Sequence, residues 1–196
     1  NDHLLFEAFN EILNAQQAWN VPMSKTDYQA VNLLEQDFVD VVRATGGNNE
    51  YRNLVCNPMG ADNKQEPIDA FTGPVDNYHP NHILASVHSY DPYNFCQNAG
   101  QYNKPLFDSA CEQEIDAIFA RIKNRTYELG IPFIFGEFGA LDYEKSMAER
   151  VKYASYLGAK FKEYNTTGLW WMGLLKRSDK TWYEDAIVSA LFEAMK

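Results

Sequence analysis

The sequence predicts a parallel α/β fold, because short apolar runs alternate with stretches whose apolar residues recur at helical spacing. Its 196 residues are enough to bury the core of one domain. Five apolar runs have the length and residue types of buried strands, namely Leu4–Phe9, Asn53–Cys56, Ile83–His88, Pro132–Phe135 and Gly168–Met172. We therefore expect one domain, residues 1–196, built on about five parallel strands with flanking helices.

Four helices are expected around these strands. The first ends before Gly46-Gly47 and has an apolar face formed by Val31, Leu34, Phe38, Val41 and Val42. The second begins at a capping box, Ser109-x-x-Glu112, and ends before Gly130, which suits the left-handed position after a helix. The third runs from Met147 to Phe161 and the last covers roughly Asp185–Met195.

The connection between Cys56 and Ile83 is long, polar and rich in proline, so we expect at most a short helix in it. Long loops inside compact domains are usually functional. No internal repeat or low-complexity tract divides the chain.

Composition excludes several classes of partner. The net charge of −10 would repel nucleic acid and anionic membranes, so we expect neither as a partner. No apolar run approaches the roughly 20 residues of a bilayer span, and we expect no signal peptide in residues 1–196. The three cysteines, Cys56, Cys96 and Cys111, lack metal-ligand spacing, and their odd number leaves at least one thiol unpaired.

The chemistry-bearing side chains follow the predicted strands. Asn10 and Glu11 end the first run, and Glu137 follows the fourth. The third run ends at His88, with Tyr90 two residues later, and the fifth run contains Trp171. Because ligands bind at the carboxyl edge of parallel sheets, these residues are candidates for one site.

Four segments, in this order, carry a resemblance: His3–Glu11, Phe38–Asn49, Val87–Tyr93 and Phe133–Gly139. They resemble glycoside hydrolase family 5, the cellulase family, and especially its endo-β-1,4-glucanase and xyloglucanase branch. The resemblance implies a (β/α)8 barrel, of which this chain matches the fourth to eighth strands. It also implies a secreted enzyme that hydrolyses β-glucan without metal or cofactor.

The same resemblance implies roles for single residues. Glu11 matches the general acid/base and Glu137 the nucleophile of a retaining glycosidase. Asn10 would bind the sugar 2-hydroxyl, while His88 and Tyr90 would line the cleft, with Tyr90 helping to hold the nucleophile. Trp171 would stack under the sugar beside the scissile bond, and Trp170 would point into the helix layer.

This division of roles is physically consistent. Hydrolysis that retains the configuration of the anomeric carbon requires one protonated and one ionised carboxyl, roughly 5–5.5 Å apart. Two nearby carboxylates repel each other, so one keeps its proton to higher pH and can act as the acid.

The sequence departs from the family pattern in two places. Strands one to three have no counterpart here, nor do the Arg and His that they contribute. At the end of the fifth run, Trp171-Met172-Gly173 continues almost directly into Leu174–Arg177, where the family usually has Trp-Asp-Asn-Gly and a loop. A partial sheet leaves strand edges unpaired, so we expect a homodimer in which two partial barrels cover each other's open sides.

Two other functions remain to be compared with an active glucanase. A catalytically impaired partial barrel would keep the fold and its affinity for sugars; the missing Arg and His favour it, whereas the pair Glu11 and Glu137 opposes it. A phosphate- or nucleotide-binding enzyme would need a glycine-rich loop after a strand. Gly46-Gly47 follows a helix instead, and the chain is acidic, so we exclude that class.

Overall fold

The computed structural model describes residues 3–171 and 173–196. Five parallel strands form one sheet, in which neighbours across the sheet are also neighbours along the chain. These strands are β1 (Phe6–Glu7), β2 (Leu54–Cys56), β3 (Ile83–Ser89), β4 (Phe133–Phe138) and β5 (Gly168–Trp170). All five predicted strands are confirmed, although the predicted end of the fifth, Met172, lies outside the described residues.

Every parallel strand is followed by at least one helix. The helices are α1 (Lys25–Ala44), α2 (Gln65–Ala70), α3 (Tyr93–Cys96), α4 (Ser109–Leu129), α5 (Met147–Glu163) and α6 (Asp185–Met195). The four helices expected from the sequence are α1, α4, α5 and α6, and the short helix in the polar connection is α2. This alternation in sequential order is the pattern of (β/α)8 barrels, of which the chain contains part.

A small antiparallel hairpin was not expected. It pairs β6 (Leu175–Lys176) with β7 (Thr181–Trp182) in the segment between β5 and α6. Asp179 stabilises the turn, because its Oδ1 accepts hydrogen bonds from the backbone N and the Oγ1 of Thr181. Two-residue strands are too short for the alternation of apolar and polar residues that would mark them in a sequence.

The described residues form two compact units. The first runs to His88 and includes Arg121–Ile134, and the second comprises Ser89–Ala120 and Phe135–Lys196.

Helix α1 begins at a capping box that was not predicted. Ser24 Oγ accepts a hydrogen bond from Asp27 N, and the Asp27 carboxylate accepts one from Ser24 N. The predicted stop is confirmed, since Gly46 and Gly47 have φ of 68° and 60°.

The predicted apolar face of α1 is largely wrong. The buried residues are Tyr28, Val31, Glu35, Val39 and Arg43, whereas Leu34 and Val41 are 42% and 65% exposed. Two polar side chains occupy the buried face because they have partners outside the helix. Apolar periodicity cannot detect such positions, since it counts a paired buried charge as a surface residue.

Arg43 is one of these buried polar residues. Its guanidinium forms an ion pair with Asp76, with Nη2 and Nε 2.8 and 2.9 Å from Oδ2, and its Nη1 donates to Asn49 O. Neither side chain is more than 1% exposed. The pair attaches the polar connection to α1, and Arg43 holds the pKa of Asp76 below its ordinary value despite burial. Asp76 is therefore a structural residue of this loop.

Glu35 is the other, and its burial makes the stability of the fold depend on pH. It is 1% exposed, and burial raises the pKa of its carboxyl to about 7 against the hydrogen bonds from Asn57 and Cys56. The folded state binds this proton more tightly than the unfolded chain does. The free energy of unfolding therefore falls as the pH rises from about 4.5 to above 7.

Glu35→Gln should remove this pH-dependent fall in the free energy of unfolding. We expect the variant to gain stability over the wild type as the pH rises from 5 to 8, reaching about 3 kcal/mol. Urea unfolding at both pH values measures the difference. Asp37→Asn, at an exposed position of the same helix, is the control and should show no such trend. If the free energies of unfolding of Glu35→Gln and wild type differed by the same amount at both pH values, the prediction would be contradicted.

Helix α4 is capped one residue earlier than predicted. Asp108, rather than Ser109, accepts hydrogen bonds on Oδ1 from the backbone N of Ala110 and Cys111. The predicted capping box is therefore wrong, because Ser109 is already the first helical residue. The predicted end is confirmed, since Gly130 has φ of 69°.

Aromatic side chains form much of the core of the second unit. Phe119 of α4 stacks on Phe135 of β4 with ring centroids 4.7 Å apart, and Phe161 of α5 lies 5.5 Å from Phe135. These rings fix β4 against α4 and α5. Strand β4 carries Glu137, so this packing also fixes one of the predicted site residues.

The structure also describes the three cysteines and the apolar character of the helices. Cys56, Cys96 and Cys111 are all free and buried. Among the described residues, no helix is both long enough and apolar enough to cross a bilayer.

Candidate active site

In the first unit, Glu11 and His88 form a close pair. Glu11 follows β1 in a segment without helix or strand, and its Oε1 lies 2.7 Å from Nδ1 of His88 in β3. The side chain of His88 is 6% exposed and that of Glu11 is 29% exposed. A buried imidazole thus fixes the direction of a carboxyl that remains accessible to a ligand.

The backbone around His88 is also held firmly. His88 forms an isolated parallel bridge with Asp62, and its carbonyl oxygen accepts a hydrogen bond of 3.1 Å from Asn63 Nδ2. Arg121 Nη1 donates to the carbonyl oxygen of Asn63 at 2.9 Å. The polar connection after β2 therefore helps to place the end of β3.

The segment around Glu11 is attached to the same connection. Asn57 Nδ2 donates to the carbonyl oxygens of Phe9 and Asn10, and Gly60 N donates to that of Ile12. The side chain of Asn10 belongs to an exposed residue, so it is available to a ligand. Asn57 was not a candidate from the sequence, where its position after an apolar run was the only signal.

In the second unit, Tyr90 and Glu137 form the other pair. Tyr90 lies one residue beyond the end of β3, and its Oη donates a 2.6 Å hydrogen bond to Glu137 Oε2. Such a short hydrogen bond fixes the orientation of the carboxylate. Both residues are partly exposed.

A bulge in β4 sets the direction of Glu137. Phe135 pairs with Gly168 and Phe138 pairs with Trp170, so three steps on β4 match two on β5. Both Phe135 and Phe138 are consequently buried, although strict alternation would place them on opposite faces. Bulges often redirect a side chain beside an active site, and here the extra residue falls at Gly136-Glu137.

Trp170, the last residue of β5, and Trp171, which follows it, have different surroundings. Trp170 packs into the helix layer, with its ring 6.1 Å from that of Tyr153 in α5 and 5.3 Å from that of Phe138. Trp171 is 58% exposed, and its backbone N donates to Phe138 O at 2.8 Å. A fixed backbone and an exposed indole are what a stacking platform needs.

Comparison with known proteins identifies the family. The family model described as cellulase (glycosyl hydrolase family 5) matches residues 1–173. The chain belongs to glycoside hydrolase family 5. Endoglucanase A of Ruminococcus albus is 29% identical over 210 residues, which cover 100% of this chain and 56% of that protein.

Solved structures of family 5 members have the same fold. A lichenase from Caldicellulosiruptor sp. F32, in complex with cellotetraose, is 32% identical with a TM-score of 0.89. An enzyme from Prevotella bryantii B14, in complex with a xyloglucan tetradecasaccharide, is 32% identical with a TM-score of 0.88. Each alignment covers 100% of this chain and 58% of the other. The chain thus spans a little over half the length of these family 5 relatives.

Proposed function

We propose that this family 5 chain is the part of a retaining endo-β-1,4-glucanase that contains Glu11 as general acid/base and Glu137 as nucleophile. The observation that carries the proposal is the support of each carboxyl by a side chain from the end of β3. His88 holds one oxygen of Glu11, and Tyr90 holds one oxygen of Glu137. Glu11 follows β1, and Glu137 is the last residue but one of β4; parallel α/β folds bind ligands at the carboxyl ends of their strands.

The proposed reaction has two displacements. The Glu137 carboxylate attacks the anomeric carbon while Glu11 gives its proton to the departing glycosidic oxygen. The glucan fragment that leaves as the C–O bond breaks carries a new non-reducing end with a free 4-hydroxyl, and the other fragment stays attached to Glu137 through its anomeric carbon. Glu11, now ionised, removes a proton from water, which attacks the anomeric carbon and releases Glu137 as a carboxylate.

Tyr90 and His88 have separate tasks in this scheme. The hydrogen bond from Tyr90 keeps the Glu137 carboxylate aimed at the anomeric carbon before attack. The imidazole of His88 fixes the side chain of Glu11, which must both give and take a proton without changing its position. Asn10 would bind the sugar 2-hydroxyl, a contact that strengthens in the transition state.

The substrate class follows from the relatives and from Trp171. The two structures described above hold cellotetraose and a xyloglucan oligosaccharide, and both ligands contain β-1,4-linked glucose. We propose a β-glucan substrate of this kind, met outside the cell, where such polymers occur. The exposed indole of Trp171 would stack on the sugar ring next to the scissile bond.

Trp171→Ala is expected to raise the KM for cellotetraose about tenfold, because loss of the stacked face removes about 1.4 kcal/mol of binding. The kcat should change less, since no proton or bond at the reacting carbon depends on the indole. Steady-state kinetics separates the two constants. Tyr127→Ala, at an exposed aromatic residue of α4, is the control and should leave both constants unchanged. An unchanged KM in Trp171→Ala would contradict the proposed stacking.

The stereochemistry of hydrolysis tests the proposed function. Proton NMR during early cleavage of cellotetraose should show the β-anomer of the new reducing end appearing first, because two inversions give retention. Immediate appearance of the α-anomer would contradict double displacement. Absence of cleavage, with cello-oligosaccharides still bound, would favour the alternative of a catalytically impaired partial barrel.

We also propose that a second copy of the chain covers the outer strands. Within residues 3–171 and 173–196, β1 pairs only with β2 and β5 only with β4. Leu5 beside β1 and Leu169 in β5 are 45% and 62% exposed. Light scattering after size exclusion should give twice the mass of one chain. A well-folded monomer at micromolar concentration would contradict the homodimer.

A further inference from the structure

The side chain of Asn57 is the centre of a buried set of hydrogen bonds beside Glu11. Asn57 directly follows β2 and is 2% exposed. Its Nδ2 lies 2.9 Å from Phe9 O, 3.2 Å from Asn10 O and 3.2 Å from Glu7 Oε1. The two amide protons are thus shared among three acceptors, all in β1 or in the segment that leads to Glu11.

The backbone of Asn57 is itself fixed by a side chain of helix α1. Its backbone N donates a 3.1 Å hydrogen bond to Glu35 Oε1, and Glu35 belongs to the buried face of α1. A side chain of α1 therefore fixes the backbone of Asn57, and the side chain of Asn57 fixes the backbone before Glu11.

A second hydrogen bond holds the backbone after Glu11. Gly60 N donates to Ile12 O at 2.8 Å. The carbonyl groups on both sides of Glu11, those of Asn10 and Ile12, thus accept hydrogen bonds from the same short stretch after β2. The remaining freedom of Glu11 is in its side chain, which His88 holds.

Packing alone does not account for Asn57. Among the described residues, its Oδ1 is buried and has no hydrogen-bond partner. A buried acceptor without a partner is destabilising, and an apolar residue of similar volume would avoid that cost. The favourable contribution of the amide is therefore its donation to the segment that carries Glu11.

We propose that Asn57 is a positioning residue for the acid/base, because its side-chain amide fixes the backbone at Asn10 and so the reach of Glu11. The proposal rests on the proposed role of Glu11. Proton transfer depends steeply on distance, and a displacement of about 1 Å can lower the rate about 100-fold. Asn57 touches neither the sugar nor the proton, and acts only through the backbone of its neighbours.

Two substrates separate this role from general damage to the fold. Cellotetraose has a poor leaving group that needs the proton of Glu11. The leaving group of 2,4-dinitrophenyl β-cellobioside departs as a stable anion and needs little acid assistance. In Asn57→Ala and Asn57→Asp, kcat/KM for cellotetraose should fall about 10- to 100-fold, while that for the aryl substrate should fall less than about 3-fold.

Asn32→Ala is the matched control. Asn32 Nδ2 also donates to a backbone carbonyl, that of Ala70 at 2.8 Å, and its Oδ1 accepts from Thr72 N, so it joins α1 to the polar connection instead of the segment that leads to Glu11. This variant should leave both substrates unaffected. Equal losses on the two substrates in the Asn57 variants, or no loss on either, would overturn the proposal.

A spectroscopic measurement tests Asn57 independently of turnover. Glu11→Gln gives the imidazole ¹⁵N shifts of His88 without its carboxylate partner. In the Asn57 variants these shifts should move from the wild-type values toward those of Glu11→Gln, and unchanged shifts would overturn the proposal. If the wild type cleaves neither substrate, the proposed function fails, whereas the shifts still decide the role of Asn57.

The wild-type protein provides a test if neither variant folds. The two side-chain amide protons of Asn57 should be resolved and should exchange slowly with solvent, because both are buried and donated. Rapid exchange of these protons would overturn the proposal.

Discussion

Glu137→Gln is expected to lower kcat for cellotetraose about 10⁴-fold or more. The amide keeps the shape of the side chain but cannot form the glycosyl ester, so the first displacement has no nucleophile. Binding should be nearly unchanged, because the hydrogen bond from Tyr90 to the Oε2 position can be kept by the amide oxygen. Steady-state kinetics and isothermal titration with cellotetraose measure the two quantities.

Two variants show whether this loss is specific. Glu163→Gln changes an exposed carboxyl of α5 in the same unit and should have wild-type kcat. Tyr90→Phe removes only the hydroxyl that holds Glu137, and its kcat should fall about 10- to 100-fold. A Glu137→Gln protein with more than about 1% of wild-type kcat would exclude Glu137 as the nucleophile.

Glu11→Ala is expected to lower kcat/KM for cellotetraose about 10²- to 10⁴-fold, since the leaving oxygen receives no proton. For 2,4-dinitrophenyl β-cellobioside the first displacement should be almost unaffected, but the glycosyl ester should accumulate because water has no base. Stopped-flow absorbance should then show a burst of dinitrophenolate followed by slow turnover.

Added azide distinguishes a missing base from a damaged site. Azide is nucleophilic without losing a proton, so it should release the sugar from the Glu11→Ala enzyme as the β-glycosyl azide and restore turnover. It should not accelerate the wild type. Loss of activity on both substrates with no burst and no response to azide would contradict the role proposed for Glu11.

The fold could be predicted from the sequence where apolar spacing dominates. The strand around Ile83 and the helix at Asp185–Met195 were predicted almost residue for residue. The buried face of α1 could not be predicted, because Glu35 and Arg43 are stabilised by Asn57 and Asp76, whose positions depend on the tertiary fold. Local capping was predicted only to within one residue at Asp108.

In the candidate site, too, some features could be predicted from the sequence and others depend on the tertiary fold. The strand-end positions of Glu11, His88, Tyr90 and Glu137 were visible in the sequence, and the structure pairs Glu11 with His88 and Tyr90 with Glu137. The bulge at Gly136-Glu137 was not visible, because it arises from the mismatch between β4 and β5. Contacts made by a side chain to a distant backbone, such as those of Asn57, leave no periodic signal.

Covalent trapping tests the proposed mechanism most directly. A 2-deoxy-2-fluoro-cellobioside with a good leaving group forms the glycosyl ester quickly but hydrolyses it slowly, so the intermediate can be digested and analysed by mass spectrometry. One fluorocellobiosyl group is expected per chain, on the peptide that contains Glu137, and none in Glu137→Gln. A label on any other residue, or no label on protein that cleaves cellotetraose, would contradict a double displacement at Glu137.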